Sequence, residues 1–253
     1  MTSADQTHMR REIDEIPAVV ARFLEESAPV LDQAAAALRQ RDPVMVATVA
    51  RGSSDHACTY LKYAIELTMG IPVASIGPSV ASIYGRGLKL ERCASIAVSQ
   101  SGKSPDIVSA AEANRRGGAV AIAITNTADS PLAAASDFTV DLLAGAERSV
   151  AATKTFAASV VAGLALLARW SGDAELARAV AGLPESLAEA VRCDWSEMIP
   201  ALDGRSALYV LGRGPGAAIA NEAALKFKET CGIQGESYSS AEVMHGPVSI
   251  VTP

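Results

Sequence analysis

Histidine is scarce: His8, His56 and His245 are the only three in 253 residues, too few for a histidine metal cluster. The four cysteines, Cys58, Cys93, Cys193 and Cys231, include no Cys-x-x-Cys pair. That argues against a zinc or disulfide framework and points to core thiols in a cytosolic protein. Basic residues are outnumbered, 22 Lys and Arg against 28 Asp and Glu, for a net charge of −6. A nucleic-acid surface needs clustered Lys and Arg to displace phosphate counterions, so none is expected. Long apolar runs are missing too. The longest uncharged stretch, Leu67 to Gly85, is broken by Gly70, Pro72, Gly77 and Pro78. Thr155 to Ala168, the most helical run, falls well short of the ~20 residues that span a bilayer. The opening residues carry no apolar core of a secretory signal. Together these absences predict a soluble, cytoplasmic protein with no membrane or nucleic-acid partner and no metal.

What is present is an apolar chain. Of its residues 49% are hydrophobic, and a mean hydropathy of +0.21 demands a sizeable core. Its length fits one large domain or two small ones. Ile13, Ile16, Val20, Phe23 and Leu24 recur at helical spacing, and a second helix is expected over about 30–41. The pattern then changes to short β-rich runs at 44–50, 71–76, 95–98, 119–125 and 138–142. Polar or Gly-bearing turns follow these runs, and Ala-rich helical stretches follow most of them. Continuous apolar strands alternating with helices predict a doubly wound parallel five-stranded α/β sheet covered on both faces. A long helix is expected over 153–170, and two further helical stretches over 174–182 and 184–198.

A second strand–turn–helix begins at Ala207. Aligning Arg51-Gly52 with Arg213-Gly214 superposes the two at an offset of 162 residues, which suggests two copies of one domain. The expected organisation is a helical preface (1–43), a first domain (44–171), a helical connector (172–206) and the start of a second, incomplete domain (207–253). That second copy is expected to end on a strand at Val248 to Val251.

Ligands of open α/β sheets bind beyond the carboxyl ends of the strands. Three turns there stand out: Arg51-Gly52-Ser53-Ser54-Asp55, Ser99-Gln100-Ser101-Gly102-Lys103-Ser104, and Glu147 to Lys154. Ser- and Gly-rich turns that open helices offer hydroxyls and free N–H groups to a phosphate monoester. Alternatively, Ser53, Ser104 and Thr153 are plain helix N-caps. Downstream, Glu222, Lys226 and Glu229 share one helical face, as a solvated ion-pair stripe or as working groups. His245 sits in a Gly-Pro turn, where a histidine is either idle or a proton shuttle.

As a set, these motifs resemble the sugar isomerase (SIS) domain family. The likeness rests on Gly52-Ser53-Ser54, SQSGKS (99–104), AGAERSVAATKTF (144–156), LGRGPGAAIANEAALKFKE (211–229) and AEVMHGP (241–247). Within that family it is similar to the isomerase half of glucosamine-6-phosphate synthase and to stand-alone aminosugar-phosphate deaminases. The resemblance implies a SIS fold and a sugar-phosphate cradle of Gly52, Ser53, Ser54, Ser99, Gln100, Ser101 and Ser104. It implies that the Val150 backbone and Ala151 line the sugar. Glu229 matches the base that moves a proton between the first and second sugar carbons. His245 matches the ring-opening histidine supplied by a neighbouring subunit, and Glu222 and Lys226 match the supporting charged pair. No cofactor is implied, and the shared site implies a homodimer. Only 43 residues precede the first strand, none of them Cys, so a glutaminase domain is not expected ahead of it. The expected reaction is conversion of glucosamine 6-phosphate to fructose 6-phosphate and ammonia. The alternatives are a deglycase of phosphorylated sugar–amine adducts and a non-catalytic sugar-phosphate sensor.

Overall fold

The computed structural model describes residues 7–251; the outermost residues of the expected preface and second copy lie outside the described residues. A five-stranded parallel sheet forms the centre. Its strands are β1 (Met45–Val49), β2 (Val73–Ser75), β3 (Cys93–Val98), β4 (Val120–Thr125) and β5 (Phe138–Asp141), in the spatial order β2-β1-β3-β4-β5. Every residue of β3 and β4 is buried, as their unbroken apolar runs require of strands covered on both faces.

The two faces are packed differently. On one, Val46, Ile96, Ile122 and Val140 meet the second and third helices of the preface and two long ones. The preface helices are α1 (His8–Asp14), α2 (Ile16–Glu26) and α3 (Ala28–Arg41); the long ones are α4 (Ser53–Met69) and α8 (Lys154–Ser171). On the other face, the small Ala97 and Ala123 let α6 (Pro105–Arg116) approach through Ile107, Ala110 and Ala111. Single helical turns, α5 (Ser79–Ser82) and α7 (Pro131–Ala134), flank it. No helix among the described residues is long and apolar enough to cross a membrane.

Beyond α8, helices α9 (Ala174–Ala181) and α10 (Leu183–Ala190) follow. The helix expected over 184–198 stops at Ala190. The Asp194 carboxylate accepts the Ser196 N–H at 2.9 Å and starts a fresh 3-10 turn, Ser196–Met198, that leads into the short α11 (Ile199–Leu202). Strands β6 (Ala207–Gly212) and β7 (Gln234–Ser239) then pair in parallel around α12 (Pro215–Lys226). The strand expected at 248–251 is instead a 3-10 turn, Pro247–Ile250. Pro247 has no N–H to give a ladder, and Gly246 turns the chain at φ +136°.

The two strand–turn–helix starts, 162 residues apart, match in backbone angles. Gly52 opens α4 at φ 55°, ψ −134°, and Gly214 opens α12 at φ 58°, ψ −136°. The first helix closes on Gly70 at φ 66°, ψ 18°. The second, after a π-helical last turn at Phe227–Cys231, closes on Gly232 at φ 66°, ψ 16°. Both units are strand–helix–parallel strand, and their helices α4 and α12 pack against each other. Residues of α12 therefore reach the first turn of α4.

Candidate active site

The spatial order places β1 beside β3, with chain direction diverging to either side, so the ends of β1 and β3 flank the switch point of the sheet. A cavity of about 190 Å³ opens there, lined by Arg51, Ser54, Val98, Ser99, Gln100, Ser101, Ser104 and Ile107. None of the three suspected caps uses its hydroxyl as one. Gly52, not Ser53, is the N-cap of α4, and Ser104 and Thr153 make no side-chain cap bond. Among the described residues, the hydroxyls of Ser54, Ser99 and Ser104 accept and donate nothing within the chain, whereas Ser101 accepts the Lys103 N–H at 3.3 Å. Unspent hydroxyls around a helix start, at the positive end of its dipole, suit an anion.

Gly102 shapes this turn. Its N–H donates to the Ser99 carbonyl and its carbonyl accepts from Leu132 N–H, which holds it against Ser130 at φ +61°. Arg51 ties the end of β1 to the first turn of α6 through Asp106 at 2.5 Å. Burial raises the Asp106 carboxyl, but hydrogen bonds from Arg51 and the Ile107 N–H, with the Arg51 charge, leave it below the usual carboxylate range.

The second group lies where α12 crosses α4. Glu222 is buried; its Oε2 lies 2.7 Å from His56 Nδ1, and its Oε1 lies 3.1 Å from Lys226 Nζ, an ion pair without hydrogen-bond alignment. Lys226 Nζ also donates to Glu229 at 2.7 Å and to Ser53 Oγ at 3.3 Å. Burial pushes the Glu222 carboxyl up, but the His56 contact and the Lys226 charge outweigh it, leaving the group lowered. Lys226 thus links the first turn of α4 to Glu229, which sits on the π-helical turn. Such turns occur often at functional sites.

The third stretch, 147–153, leaves Val150 almost fully exposed and Ala151 buried. No hydrogen bond ties either residue to the other two groups. His245 is exposed on a 3-10 turn and makes no bond or ion pair with Glu222, Lys226 or Glu229. The structure therefore gathers Ser53 with Glu222, Lys226 and Glu229. It gathers Ser54, Ser99, Gln100, Ser101 and Ser104 beside them, and leaves His245 apart.

Sequence reasoning missed His56 and Glu147. His56 lies one turn into the helix that opens at Gly52-Ser53-Ser54, and that position was its only sequence signal. Glu147 accepts from the N–H groups of Thr153 and Thr155 and from both hydroxyls, replacing the missing cap of α8. It stood within a motif already singled out, but a carboxylate that bonds its own loop has no signature in spacing.

Fold and site define a doubly wound α/β protein with an anion-suited site at its topological switch point. The chain belongs to the SIS domain family, whose model matches residues 38–169. It is 36% identical over 221 residues to a glutamine–fructose-6-phosphate aminotransferase (isomerizing) of Symbiobacterium thermophilum, covering 82% of this chain and 36% of that protein. The similar aminotransferase of Aeropyrum pernix is 33% identical over 97% of this chain and 42% of its own length. The chain thus spans about two fifths of the curated relatives it matches. Among solved structures, a candidate phosphosugar isomerase from Silicibacter pomeroyi DSS-3 is 61% identical with a TM-score of 0.94. That match covers 96% of this chain and 75% of the other.

Proposed function

We propose that this chain is a SIS unit of the phosphosugar-isomerase type, acting on an aminosugar phosphate. The observation that carries the reading is Lys226 Nζ, which reaches Ser53 Oγ, Glu222 and Glu229 at once. It joins the serine turn beside the hydroxyl-lined cavity to a carboxylate suited to proton transfer. The 6-phosphate would occupy the cavity at Ser54, Ser99, Gln100, Ser101 and Ser104, with Gly52 and Ser53 closing its α4 side. Val150 and Ala151 would line the sugar.

With the sugar open, Glu229 takes the proton from the second carbon and returns it to the first. Lys226 holds the base oriented, and Glu222 pairs with the lysine. His245, assigned to ring opening, would come from the neighbouring subunit of a homodimer, since in its own chain it bonds none of these groups. Glucosamine 6-phosphate would lose its amine by hydrolysis: the shift from C2 to C1 gives an imine at C2, water adds, and fructose 6-phosphate and ammonia leave. The 61% identity to a candidate phosphosugar isomerase and the match to isomerizing aminotransferases support the substrate class. We read the β6–α12–β7 unit as the opening of a second SIS domain, supported by the matched Gly52/Gly214 and Gly70/Gly232 conformations. On this reading the protein works in the cytoplasm.

The test is incubation of the full protein with glucosamine 6-phosphate, following ammonia and fructose 6-phosphate together. Equal release of both is expected, lost in Glu229→Gln while the sugar phosphate still binds. Binding without release by the unaltered protein would make it a sensor and overturn the enzymatic reading.

A further inference from the structure

We infer that Glu12, on the first helix of the preface, is a positioning residue for the sugar-facing loop at 147–152. The inference rests on the proposed function for what the loop meets, and on geometry for the clamp itself. Glu12 is only 4% exposed, the one buried residue of its seven-residue helix. A carboxylate is seldom buried unless its oxygens are engaged.

Here they are engaged by one loop. Glu12 Oε1 accepts the Arg148 N–H at 2.5 Å and the Ser149 N–H at 3.3 Å. Its Oε2 accepts the Ser149 N–H at 3.2 Å and the Ser149 hydroxyl. Two consecutive backbone amides, 136 residues away in sequence, are thus held by one side chain. The loop would otherwise leave both of them without a protein partner.

The same anchor extends to the helix behind the loop. Lys154, the first residue of α8, is 3% exposed, and a cation at a helix N-terminus opposes the dipole. It is tolerated because Glu15 Oε2 lies 2.5 Å from its Nζ and the Glu12 charge stands nearby. Glu12 and Glu15 are on or beside α1, so the preface grips the loop at both ends. Between the grips, the Ser149 Oγ that gives its proton to Glu12 lies 3.0 Å from the Ala151 carbonyl, in a turn that leaves Val150 exposed and Ala151 buried. The preface is therefore part of the site: it sets the position of the Val150 backbone, where the sugar would lie.

The experiment compares wild type, Glu12→Gln and Glu12→Ala by calorimetry with inorganic phosphate, glucose 6-phosphate and glucosamine 6-phosphate. Phosphate reports the cavity at 99–104, and the sugar phosphates report cavity and loop together. The expected result is unchanged phosphate affinity, with sugar-phosphate affinity at least tenfold weaker in Glu12→Ala and partly rescued in Glu12→Gln. A purely structural role would weaken all three ligands alike, and that outcome, or no change in any, overturns the proposal.

If the variants do not fold, amide hydrogen exchange on the unaltered protein reads the clamp directly. Arg148 and Ser149 should exchange slowly, with Val150 fast until glucose 6-phosphate is added. Rapid exchange at 148 and 149 overturns it equally. Wild type that binds phosphate but neither sugar refutes the proposed function and the loop's sugar contact with it, while slow exchange at 148 and 149 still upholds the clamp.

Discussion

Replacing Gly102 by Ala tests the turn that shapes the cavity. A Cβ there would lie 2.1 Å from Ser130 Oγ, 2.5 Å from Ser130 Cβ and 3.0 Å from Thr125 Oγ1. Ser130 cannot easily yield: it is buried, and its Oγ accepts the Ala133 N–H that caps α7. Holding a residue with a Cβ at φ +61° costs about 1–2 kcal/mol. Forcing the methyl against Ser130 adds about 1–3 kcal/mol of overpacking. The total, about 2–5 kcal/mol, leaves a domain of ordinary stability folded but weakened. Urea unfolding of Gly102→Ala, Ser130→Gly and the double variant separates the two costs. Ser130→Gly alone loses a cap, worth a few tenths to about 1 kcal/mol. In the double variant the steric part disappears and only backbone strain remains, so the two changes should couple favourably by about 1–3 kcal/mol. Phosphate affinity should fall in Gly102→Ala and return in the double variant. Strictly additive unfolding energies would refute the steric account of this turn.

Glu222→Gln replaces a buried charged acceptor of His56 and Lys226 by a neutral one and should destabilise the protein by about 1–3 kcal/mol in urea at neutral pH. Because the native Glu222 carboxyl titrates below its ordinary value of 4.5, its contribution is complete above that value and is lost as pH falls through the native one. The variant should therefore show a shallower acid limb of stability than wild type; identical limbs would contradict the network. Thiol titration should find Cys193 and Cys231 reacting at once in the folded protein and Cys58 and Cys93 only after unfolding. The latter two are buried, and burial pushes both thiols up, whereas Cys193 and Cys231 are exposed rather than the core thiols expected. Fast reaction of more than two thiols in the native state would count against the packing of α4 and β3.

The five apolar runs between 44 and 142 were readable as buried parallel strands, since covering both faces of a sheet leaves no polar alternation. The Ser-Gly turns and the 162-residue offset were equally plain, because strand, Arg-Gly turn and helix recur at 51–52 and 213–214. The charged triad of α12 and its π-helical last turn followed from helical periodicity alone. Periodicity failed after Ala190 and at 248–251, where an Asp side chain and a proline without an N–H overrode apolar pattern. Whether the serines were caps or free hydroxyls, and whether Glu222 was a surface ion or a buried one, depended on what stood opposite. Only tertiary structure brings His56 of α4 to within 2.7 Å of Glu222 on α12. Only it carries Glu12 across 136 residues to two backbone amides. Such contacts are made by side chains that local sequence leaves free, and the crossing of helices decides which of them meet.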